Sequence, residues 1–543
     1  MNRFARVTVL GLALSLLFTT YVSVAADTLV VCPPGLRKGL KKWVEYRRKQ
    51  GHEIKWIDND GDSMAIRRRI RDAVTPKETK FIVMVGDANR PVDGKVIPDK
   101  NFVATHYIPA KVNIHWGKER DIATDNYYAD LNDDQLPELA IGRIPADNVE
   151  DLETITDKII AYEQNEDYGE WRRRISFVGC PGNFGAVIDS VIEQGSRRLT
   201  TEGIPPAYCT TATYGNWRSP YCPDPRKFRD TAMGRLNEGA LFWVYIGHGH
   251  NLYVDQVETP DQKKYPILTI KDVPDLKCSS GNPIAIFLAC YTGRFDAPVD
   301  CLSEEMLRSP GGPVAIYSAT RVTMPYAMTV MGGEMMKAYF VEKVPTIGEL
   351  VLHAKRQMVL ADRSTGTAKS LDTLALTLNK LSPDLKAERL EHVQMYELFG
   401  DPLLKLSHPN DVIVDPLSTA KAGDKLVIKG KSPLAGQCVV ELVSPRDKLH
   451  FTPPLRKDFS PVETVFSEIQ ETYEKANQPV LASKALDVKK GAFEAELTIP
   501  ESMKGKGHIR VYVHGKQGYA LGNADFEITS SAQSEKVAKA SGG

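Results

Sequence analysis

The sequence predicts an α/β protein with a mostly parallel sheet flanked by helices, followed by an all-β domain. Short apolar segments alternate with segments of helical periodicity from Thr28 to Ser318, as successive strand–helix units do. Several of these segments are continuously apolar, which favours strands buried on both faces of a sheet. After Pro409 the pattern changes to alternating strands with Gly- and Pro-rich turns, as in a small β-sandwich.

The elements follow from periodicity and from the glycines and prolines between them. In chain order we predict a strand Thr28–Cys32, a helix carrying Leu36, Leu40, Trp43 and Val44 that ends at Gly51, a strand Glu53–Ile57, a helix carrying Met64, Ile66, Ile70 and Val74, strands Lys80–Val85 and Leu139–Ile141, a helix Val149–Gln164, a strand Ile175–Val178, a helix carrying Phe228, Met233 and Leu236, and strands Ala240–Ile246, Ile284–Ala289 and Val314–Ser318.

The charge balance limits the class of partner. Lys plus Arg and Asp plus Glu both number 69 in 543 residues, so the formal net charge is zero. A neutral chain argues against a nucleic-acid-binding surface and against a polybasic membrane anchor. We therefore expect a neutral or locally charged substrate as the partner.

The first 26 residues have the features of an export signal. Arg3 and Arg6 precede an apolar run from Val7 to Val22, and small residues up to Ala26 offer a cleavage site. A membrane anchor is the alternative, but the run is shorter than the ~20 residues that a span needs, and no stop-transfer charges follow. We expect a mature protein from about Asp27 that is secreted, periplasmic or at the cell surface, with no integral span.

The cysteines do not suggest a disulfide scaffold. Eight cysteines are few for a chain of this length. Cys209 and Cys222 flank a Pro-, Tyr- and Gly-rich loop and are the candidate pair. The sequence has no CxxC motif, so a structural zinc site is not expected.

Two candidate catalytic residues follow continuous apolar strands. His248 lies in a Gly-His-Gly segment after Ala240–Ile246, and Cys290 follows Ile284–Ala289. Ligand sites of open α/β sheets form outside the carboxyl ends of strands. A histidine there can take the proton of a neighbouring thiol, which makes the sulfur a nucleophile. The amides of Gly249 and Cys290 are candidate oxyanion donors.

Two alternatives concern the histidines. The cysteine and histidine could be an unrelated buried thiol and loop residue, but their joint placement at strand ends argues against that. His250 competes with His248 for the role of base, and the His-x-His pair could bind a metal. We prefer His248 because glycine brackets it on both sides, and no third metal ligand is evident nearby.

The chain resembles the gingipain-type cysteine peptidases, relatives of caspases and legumain. The resemblance rests on Ile141-Gly142-Arg143 through Glu163, Tyr245 to Gly249, Ala289-Cys290 through Glu304, and Leu398 to Pro402. It implies a caspase-like sheet followed by an immunoglobulin-like domain. It also implies that His248 is the acid–base group, Cys290 the nucleophile, and Asp147 the acid that orients the histidine. Asp147 and Asn148 could instead cap the following helix.

The resemblance suggests a domain division and raises the question of specificity. We predict a signal peptide at 1–26, an N-terminal α/β subdomain at 27–140, a catalytic subdomain at 141–408, an immunoglobulin-like sandwich at 409–528 and a disordered tail at 529–543. No propeptide of useful length separates the signal from the first strand. Gingipains cleave after Arg or Lys through an acidic pocket residue, for which Asp157 is the candidate. Tyr326 is a second substrate-binding candidate, in a segment that differs from that of the family.

An acidic segment before Gly142 suggests a second kind of site. Asp130, Asn132, Asp134 and Glu138 alternate like the ligands of a calcium loop, and similar segments occur in gingipain-like sequences. The turn glycine and the twelfth-position glutamate of an EF-hand are missing. The alternatives are a structural Ca²⁺ ion and a solvated acidic turn; we expect no cofactor to be required for activity.

Three functions remain in competition. The first is an endopeptidase, and the second is a transpeptidase or acyl transferase that uses the same two residues but transfers the acyl group to an amine. The third is a non-catalytic surface or adhesion protein. The presence of both His248 and Cys290 argues against the third function. We favour the endopeptidase, although the sequence does not separate it from the transferase.

Overall fold

The chain folds around a ten-stranded sheet, with a two-sheet β-sandwich after it. This computed structural model describes residues 25–88, 91–92, 95–96, 101–115, 117, 119–182, 200–378, 384–417 and 419–528. Residues 1–24 of the predicted signal and the predicted tail 529–543 lie outside these ranges. Within them, no helix combines the length and apolar character needed to cross a bilayer.

The strands and helices of the described residues are as follows. The strands are β1 (Thr28–Val31), β2 (Ile54–Ile57), β3 (Phe81–Val85), β4 (Pro91–Val92), β5 (Lys95–Val96), β6 (His106–Pro109), β7 (Asp121–Thr124), β8 (Ala140–Ile144), β9 (Arg174–Gly179), β10 (Cys209–Tyr214), β11 (Phe242–Ile246), β12 (Gln256–Glu258), β13 (Lys264–Pro266), β14 (Ile284–Leu288), β15 (Ala315–Ala319), β16 (Tyr396–Phe399), β17 (Asn410–Asp411), β18 (Ile413–Val414), β19 (Lys425–Ser432), β20 (Gly436–Val443), β21 (Val480–Val488), β22 (Gly491–Thr498), β23 (Lys506–Gly515) and β24 (Gly518–Glu527). The helices are α1 (Lys41–Lys49), α2 (Ser63–Ala73), α3 (Asn126–Ala129), α4 (Val149–Glu163), α5 (Phe228–Asn237), α6 (Leu302–Arg308), α7 (Pro325–Phe340), α8 (Ile347–Leu360), α9 (Gly366–Leu378), α10 (Leu385–Met395) and α11 (Glu463–Ala476).

The large sheet consists of two parallel halves that run in opposite directions. Its strand order is β10-β9-β11-β14-β15-β16-β8-β3-β1-β2. Strands β9, β11, β14 and β15 pair in parallel, whereas β16 is antiparallel to β15 and parallel to β8. We call the end at which β11, β14 and β15 finish the upper end of the sheet, and the end at which β8 and β3 finish the lower end.

The predicted α/β architecture is confirmed, because every strand and helix that we predicted from Thr28 to Ser318 is present within a few residues. Strands β3, β8, β14 and β15 are buried along their whole length, as continuously apolar strands require. We did not predict β10 or β16. The short strand β16 lies where the strand direction of the sheet reverses. The direction of a strand cannot be predicted from its local sequence pattern.

The Gly-Arg pair of the resemblance has a structural role. A side chain on Gly142 of β8 would lie 2.7 Å from the Gly400 carbonyl oxygen, so glycine permits close approach of β8 and the end of β16. The buried Arg143 guanidinium binds both carboxylate oxygens of Asp125 at 2.6 and 2.8 Å and donates to the Gly86 and Val103 carbonyls. Arg143 thereby ties the loops around β8 together.

The residues after Pro409 form two facing sheets. One has the order β17-β24-β23-β20-β21 and the other β18-β19-β22, with a separate apolar core between them. Buried and exposed residues alternate along β19 and β22, as one-sided burial requires. The predicted β-rich module is therefore present, and its assignment as immunoglobulin-like stays a prediction.

Helix α11 was not predicted, and it covers the edge strand β10. Asn477, just after the helix, accepts a hydrogen bond from the Ala212 amide at 2.8 Å and donates to the Ala212 carbonyl at 3.0 Å. Tyr473 contacts the Thr213 hydroxyl at 2.9 Å. Asn477 thereby occupies the edge-facing amide and carbonyl of Ala212, which would otherwise be open to pairing with another strand.

A buried charge network joins the two flanks of the lower end. Arg47 of α1 contacts Asp401, after β16, at 2.6 Å and Glu163 of α4 at 2.8 Å, and all three side chains are essentially inaccessible. Trp43 also donates to Asp401. Removal of one member would leave charge buried without its partner.

We therefore expect Asp401→Ala to lower the free energy of unfolding by about 3–5 kcal/mol. The measurement is urea denaturation followed by tryptophan fluorescence. Lys425→Ala is the control, because Lys425 forms an exposed pair with Glu496 on the sandwich and should leave the transition almost unchanged. Equal, small shifts in the two variants would contradict the structural role of the network.

Candidate active site

The register between β11 and β14 brings the two predicted catalytic residues together. Ile246 pairs with Leu288 at the last position of the ladder, and the Gly247 amide donates to the Leu288 carbonyl at 3.3 Å. His248 and Cys290 each follow two residues later, so they lie level on adjacent strand ends. The structure therefore places both at the upper end of the sheet, where the sequence predicted a site.

Gly249 makes close approach of the two loops possible. A Cβ at this position would overlap the Cys290 carbonyl oxygen and lie 2.9 Å from Thr292 Cγ2. Any other residue would push the histidine loop away from the cysteine loop. The glycine beside His248 is therefore required by packing as well as by the space a substrate would need.

The Cys290 thiol lies against the loop that follows β15. Its Sγ accepts a hydrogen bond from the Thr323 amide at 3.3 Å and lies 3.5 Å from the Thr323 hydroxyl. Burial raises the pKa of the Cys290 thiol, and the contacts with Thr323 act in the opposite direction. The thiol is therefore protonated at neutral pH, and its proton must be removed for the sulfur to react.

The Thr323 loop is itself fixed by a buried histidine. The Met324 amide donates to His392 Nε2 at 2.8 Å, and His392 Nδ1 lies 2.7 Å from the Glu388 carbonyl. Burial lowers the pKa of His392 to about 4. The ring is therefore neutral, with its proton on Nδ1 and a lone pair for the Met324 amide.

A backbone carbonyl sets the proton position of His248. Its Nε2 lies 2.6 Å from the carbonyl oxygen of Gly182, which follows β9. Because a carbonyl only accepts, Nε2 carries the proton and Nδ1 holds the lone pair of the neutral ring. The contact with Gly182 thus selects one neutral tautomer of His248, in which Nδ1 is the basic nitrogen.

Asp255 contacts the loop that carries His248. It accepts a hydrogen bond from the His248 amide at 3.3 Å, and the Tyr245 hydroxyl donates to the His248 carbonyl at 3.0 Å. Burial raises the pKa of Asp255, against the opposing effect of a charged His248. This carboxylate contacts the main chain of the loop and so helps to fix the backbone at His248.

The residue after the cysteine has an unusual backbone conformation. Tyr291 has a φ of 57°, in the left-handed region that side chains rarely adopt. Its amide donates to the Arg321 carbonyl at 3.1 Å, and the Arg294 amide donates to its carbonyl at 3.0 Å. Backbone strain of this kind is concentrated at functional sites, which agrees with a site at Cys290.

His250 belongs to the same loop but has different surroundings. Its ring stacks on Tyr253 with centroids 4.6 Å apart, and its amide donates to the Tyr253 carbonyl at 2.8 Å. Burial and the nearby Arg294 lower the pKa of His250. The stacking gives His250 a packing role, and the preference for His248 as base stays a proposal.

The structure does not bring Asp147 to His248. Strand β8 runs opposite to β11, so Asp147 follows it at the lower end of the sheet, four strand positions or about 19 Å across from β11. Its carboxylate lies 3.3 Å from Arg308 at the end of α6. This position argues against the predicted role of Asp147 as orienting acid, and the helix cap is Asn148, which accepts from the Asp151 amide.

The two substrate-binding candidates also have other partners. Asp157 lies on the outer face of α4 and pairs with Lys42 of α1 at 2.8 Å, both half-exposed. Tyr326 is buried at the start of α7; its hydroxyl donates to Asp372 at 2.9 Å and accepts from Arg389. The pair with Lys42 argues against Asp157 as a pocket residue. Tyr326 lies three residues beyond Thr323, near the site, but its hydroxyl is already occupied.

The predicted calcium loop is closed by the protein's own donors. Asp130 accepts from the Asp133 and Gln135 amides at 2.8 and 3.0 Å. Asp134 accepts from the Leu136 amide and Asn132 from the Asp134 amide. Glu138 accepts from the Leu131 amide and pairs with Arg356 at 3.0 Å. These oxygens form a hydrogen-bonded turn, and a structural calcium ion there stays a prediction.

Among the described residues, one other group of carboxylates converges. Oxygens of Asp87, Asp147 and Asp300 lie within 4.8 Å of one another. Arg308 reaches the same place and pairs with both Asp147 and Asp300. The arginine supplies a positive charge there, so the convergence by itself assigns no ion.

Three further residues of the site were missed from the sequence. Gly182 and Asp255 contact His248, and Thr323 contacts Cys290. Thr323 lies in the segment already singled out after β15, so its proximity could have been inferred from a parallel β14–β15 pair. Gly182 could not, because nothing in the sequence shows that β9 lies beside β11.

We expect Thr323→Val to raise the pKa of the Cys290 thiol, because it removes the hydroxyl contact while leaving the amide contact. The pH dependence of Cys290 alkylation by iodoacetamide, followed by peptide mass spectrometry, measures this pKa. The profile should move to higher pH with the same limiting rate. An unchanged profile would show that the hydroxyl does not stabilise the thiolate.

Comparison with known proteins identifies the family. A family model described as Peptidase family C25 matches residues 22–407. Gingipain R2 of Porphyromonas gingivalis (strain ATCC BAA-308 / W83) is 24% identical over 368 residues, which are 64% of this chain and 44% of that protein. Lys-gingipain of P. gingivalis (strain ATCC 33277) is 23% identical over 292 residues, 52% of this chain and 15% of that protein. The chain thus spans less than half the length of these curated relatives.

The fold has a match among solved structures. The crystal structure of the Arg specific cysteine proteinase gingipain R (RGPB) matches with a TM-score of 0.50 at 16% identity, covering 94% of this chain and 99% of that one. The likeness supports the mostly parallel sheet flanked by helices, and the predicted resemblance to gingipain-type cysteine peptidases is confirmed. Because the family model spans the whole ten-stranded sheet, with His248 and Cys290 on it, the chain belongs to peptidase family C25.

Proposed function

We propose that the chain is a cysteine endopeptidase in which Cys290 is the nucleophile and His248 the acid–base group. The observation that carries this proposal is the register of β11 and β14, which sets the two residues level on adjacent strand ends. Family membership supports peptide-bond hydrolysis as the reaction, and protein or peptide chains as substrates.

The protonation states define the first step. The Cys290 thiol is neutral at rest because burial raises its pKa, and His248 carries its proton on Nε2, facing Gly182. His248 Nδ1 accepts the thiol proton as Sγ attacks the substrate carbonyl carbon. The Gly182 carbonyl then stabilises the imidazolium through Nε2–H, a function that a carboxylate serves in Ser-His-Asp triads.

Two backbone amides are candidate hydrogen-bond donors to the oxyanion of the tetrahedral intermediate. In the described part of the chain, neither the Gly249 nor the Cys290 amide donates to a backbone carbonyl. Both flank the contact between the two loops, and donors fixed by backbone need no rearrangement when charge develops. We propose that they bind the negative oxygen of the tetrahedral intermediate.

The second half of the reaction regenerates the enzyme. His248 donates its acquired proton to the leaving amine as the C–N bond breaks, which leaves an acyl group on Cys290. Water then attacks the thioester carbonyl, with Nδ1 accepting a proton from it. Sγ departs and recovers its proton from His248, so the products are a carboxylic acid and an amine.

We also propose that the enzyme cleaves peptide bonds after Arg or Lys. This proposal rests on the names of two relatives, one described as Arg specific and one as Lys-gingipain. Asp157 does not serve it, since that carboxylate pairs with Lys42 on α4's outer face. We also propose export from the cytoplasm, on the sequence of residues 1–26.

Cys290→Ala should abolish hydrolysis of fluorogenic peptides, and His248→Ala should lower kcat roughly 10²–10⁴-fold, because it removes general acid–base catalysis. The control is His250→Ala, which removes a ring stacked on Tyr253 and should keep most of the activity. An inactive His250→Ala enzyme beside an active His248→Ala enzyme would reverse the assignment. Peptides differing only at the residue before the cut, assayed with and without an added amine, test specificity and acyl transfer.

Asp147→Ala should leave kcat for the same peptides close to the wild-type value, because Asp147 lies at the lower end of the sheet against Arg308. Its melting temperature should fall slightly, because the Asp147 side chain is 44% exposed and its ion pair with Arg308 is partly solvated. A loss of kcat comparable to that of His248→Ala would show that Asp147 acts on the histidine after all.

A further inference from the structure

Glu119 makes a long-range contact with the residue beside the nucleophile. The Tyr291 hydroxyl donates to Glu119 Oε2 at 2.6 Å, and Arg294 pairs with Glu119 Oε1 at 3.3 Å. The Arg294 guanidinium also lies 5.7 Å from the centre of the Tyr291 ring. Glu119 therefore joins both ends of the turn that follows Cys290, although it lies 172 residues from Tyr291 in the sequence.

This turn fixes where Cys290 sits. Tyr291 is in the left-handed region at φ 57°, a conformation disfavoured for a residue with a large side chain. The main chain holds one side of it through the Arg321 and Ala319 carbonyls, which accept from the Tyr291 and Gly293 amides. The side chain is held by Glu119, so the rare conformation is stabilised from two directions.

The charge state of Glu119 suits this task. Burial acts to raise the pKa of its carboxyl, but the hydrogen bond from Tyr291 and the positive charges of Arg294 and Arg321 outweigh burial and lower the pKa. The ionised carboxylate is an acceptor on both oxygens, which matches its two partners.

We propose that Glu119 is a positioning residue for the nucleophile: by anchoring the Tyr291 hydroxyl and Arg294 it keeps Tyr291 left-handed and holds Cys290 at its place on the strand end. The proposal rests on the proposed peptidase function for its kinetic consequence, though not for its structural one. Glu119 does not contact the reacting atoms, so it acts through Tyr291. A nucleophile displaced by about 1 Å from its attack geometry can lose on the order of 10²-fold in rate.

The kinetic test compares two kinds of reaction at Cys290. Glu119→Ala should lower kcat for peptide hydrolysis about 10- to 100-fold with KM nearly unchanged, because attack on a bound carbonyl needs exact placement of Sγ. Alkylation of Cys290 by iodoacetamide, a small reagent that needs no bound geometry, should keep its rate and pH profile. Glu258→Ala is the matched control, an exposed glutamate paired with Lys264 on the hairpin after His248, and should change neither reaction.

Two further variants separate anchoring from a general effect on the fold. Tyr291→Phe removes only the hydroxyl, and its loss should not add to that of Glu119→Ala, since the two side chains form one contact. In a Tyr291→Gly background Glu119→Ala should cause no additional loss, because glycine adopts the left-handed region without help. Additive losses, or an alkylation rate that falls as far as kcat, would overturn the proposal.

A crystal structure of the Glu119→Ala protein gives the result that does not depend on activity. We expect Tyr291 to leave the left-handed region and the main chain at Cys290 to shift. Tyr291 unchanged at φ near 57°, with Cys290 in place, would overturn the proposal even if the wild-type protein hydrolyses peptides. A wild-type protein that hydrolyses no peptide would refute the proposed function, and the crystal structure would still decide the role of Glu119.

Discussion

Parallel pairing of β11 with β14 is the constraint on which the site depends. Both strands are buried among apolar neighbours, and a slip of one residue would turn every side chain to the opposite face. Burial thus fixes the register, and the register sets His248 level with Cys290. The neighbouring strands position the residues that contact this pair. Gly182 follows β9 and contacts His248, and Thr323 follows β15 and contacts Cys290.

The reversal of direction at β16 divides the sheet into a reactive part and a supporting part. In the described part of the sheet, β10, β9, β11, β14 and β15 finish at the upper end, and loops after β9, β11, β14 and β15 build the site. Strands β8, β3 and β1 finish at the lower end, where Asp147 and the Arg308 pair lie. A residue can thus belong to a family motif and still be remote from the reacting atoms. In the proposed mechanism, the Gly182 carbonyl orients His248, which is the role predicted from the sequence for Asp147.

Buried charge holds the supporting part together. Arg143 and Asp125 lock the loops around β8, while Arg47, Asp401 and Glu163 connect α1, α4 and the segment after β16. Truncation of one partner in such a network is costly because it leaves an uncompensated charge out of water. Two segments of the resemblance, Gly142-Arg143 and the run to Pro402, therefore act in the architecture. The segments around His248 and Cys290 carry the proposed chemistry.

The sequence by itself determined those strands and helices that have a local pattern of apolar residues. Continuous apolar runs marked the buried strands, helical periodicity marked the helices between them, and residues just after the runs marked His248 and Cys290 as neighbours at a sheet end. The tertiary structure alone decided what depends on partners distant in the chain. It paired Asp157 with Lys42, Tyr326 with Asp372 and Glu119 with Tyr291, and it set β8 against the direction of β11. Neither the partner of a charged side chain nor the direction of a strand leaves a periodic pattern in the sequence. Both are decided only when the chain has packed.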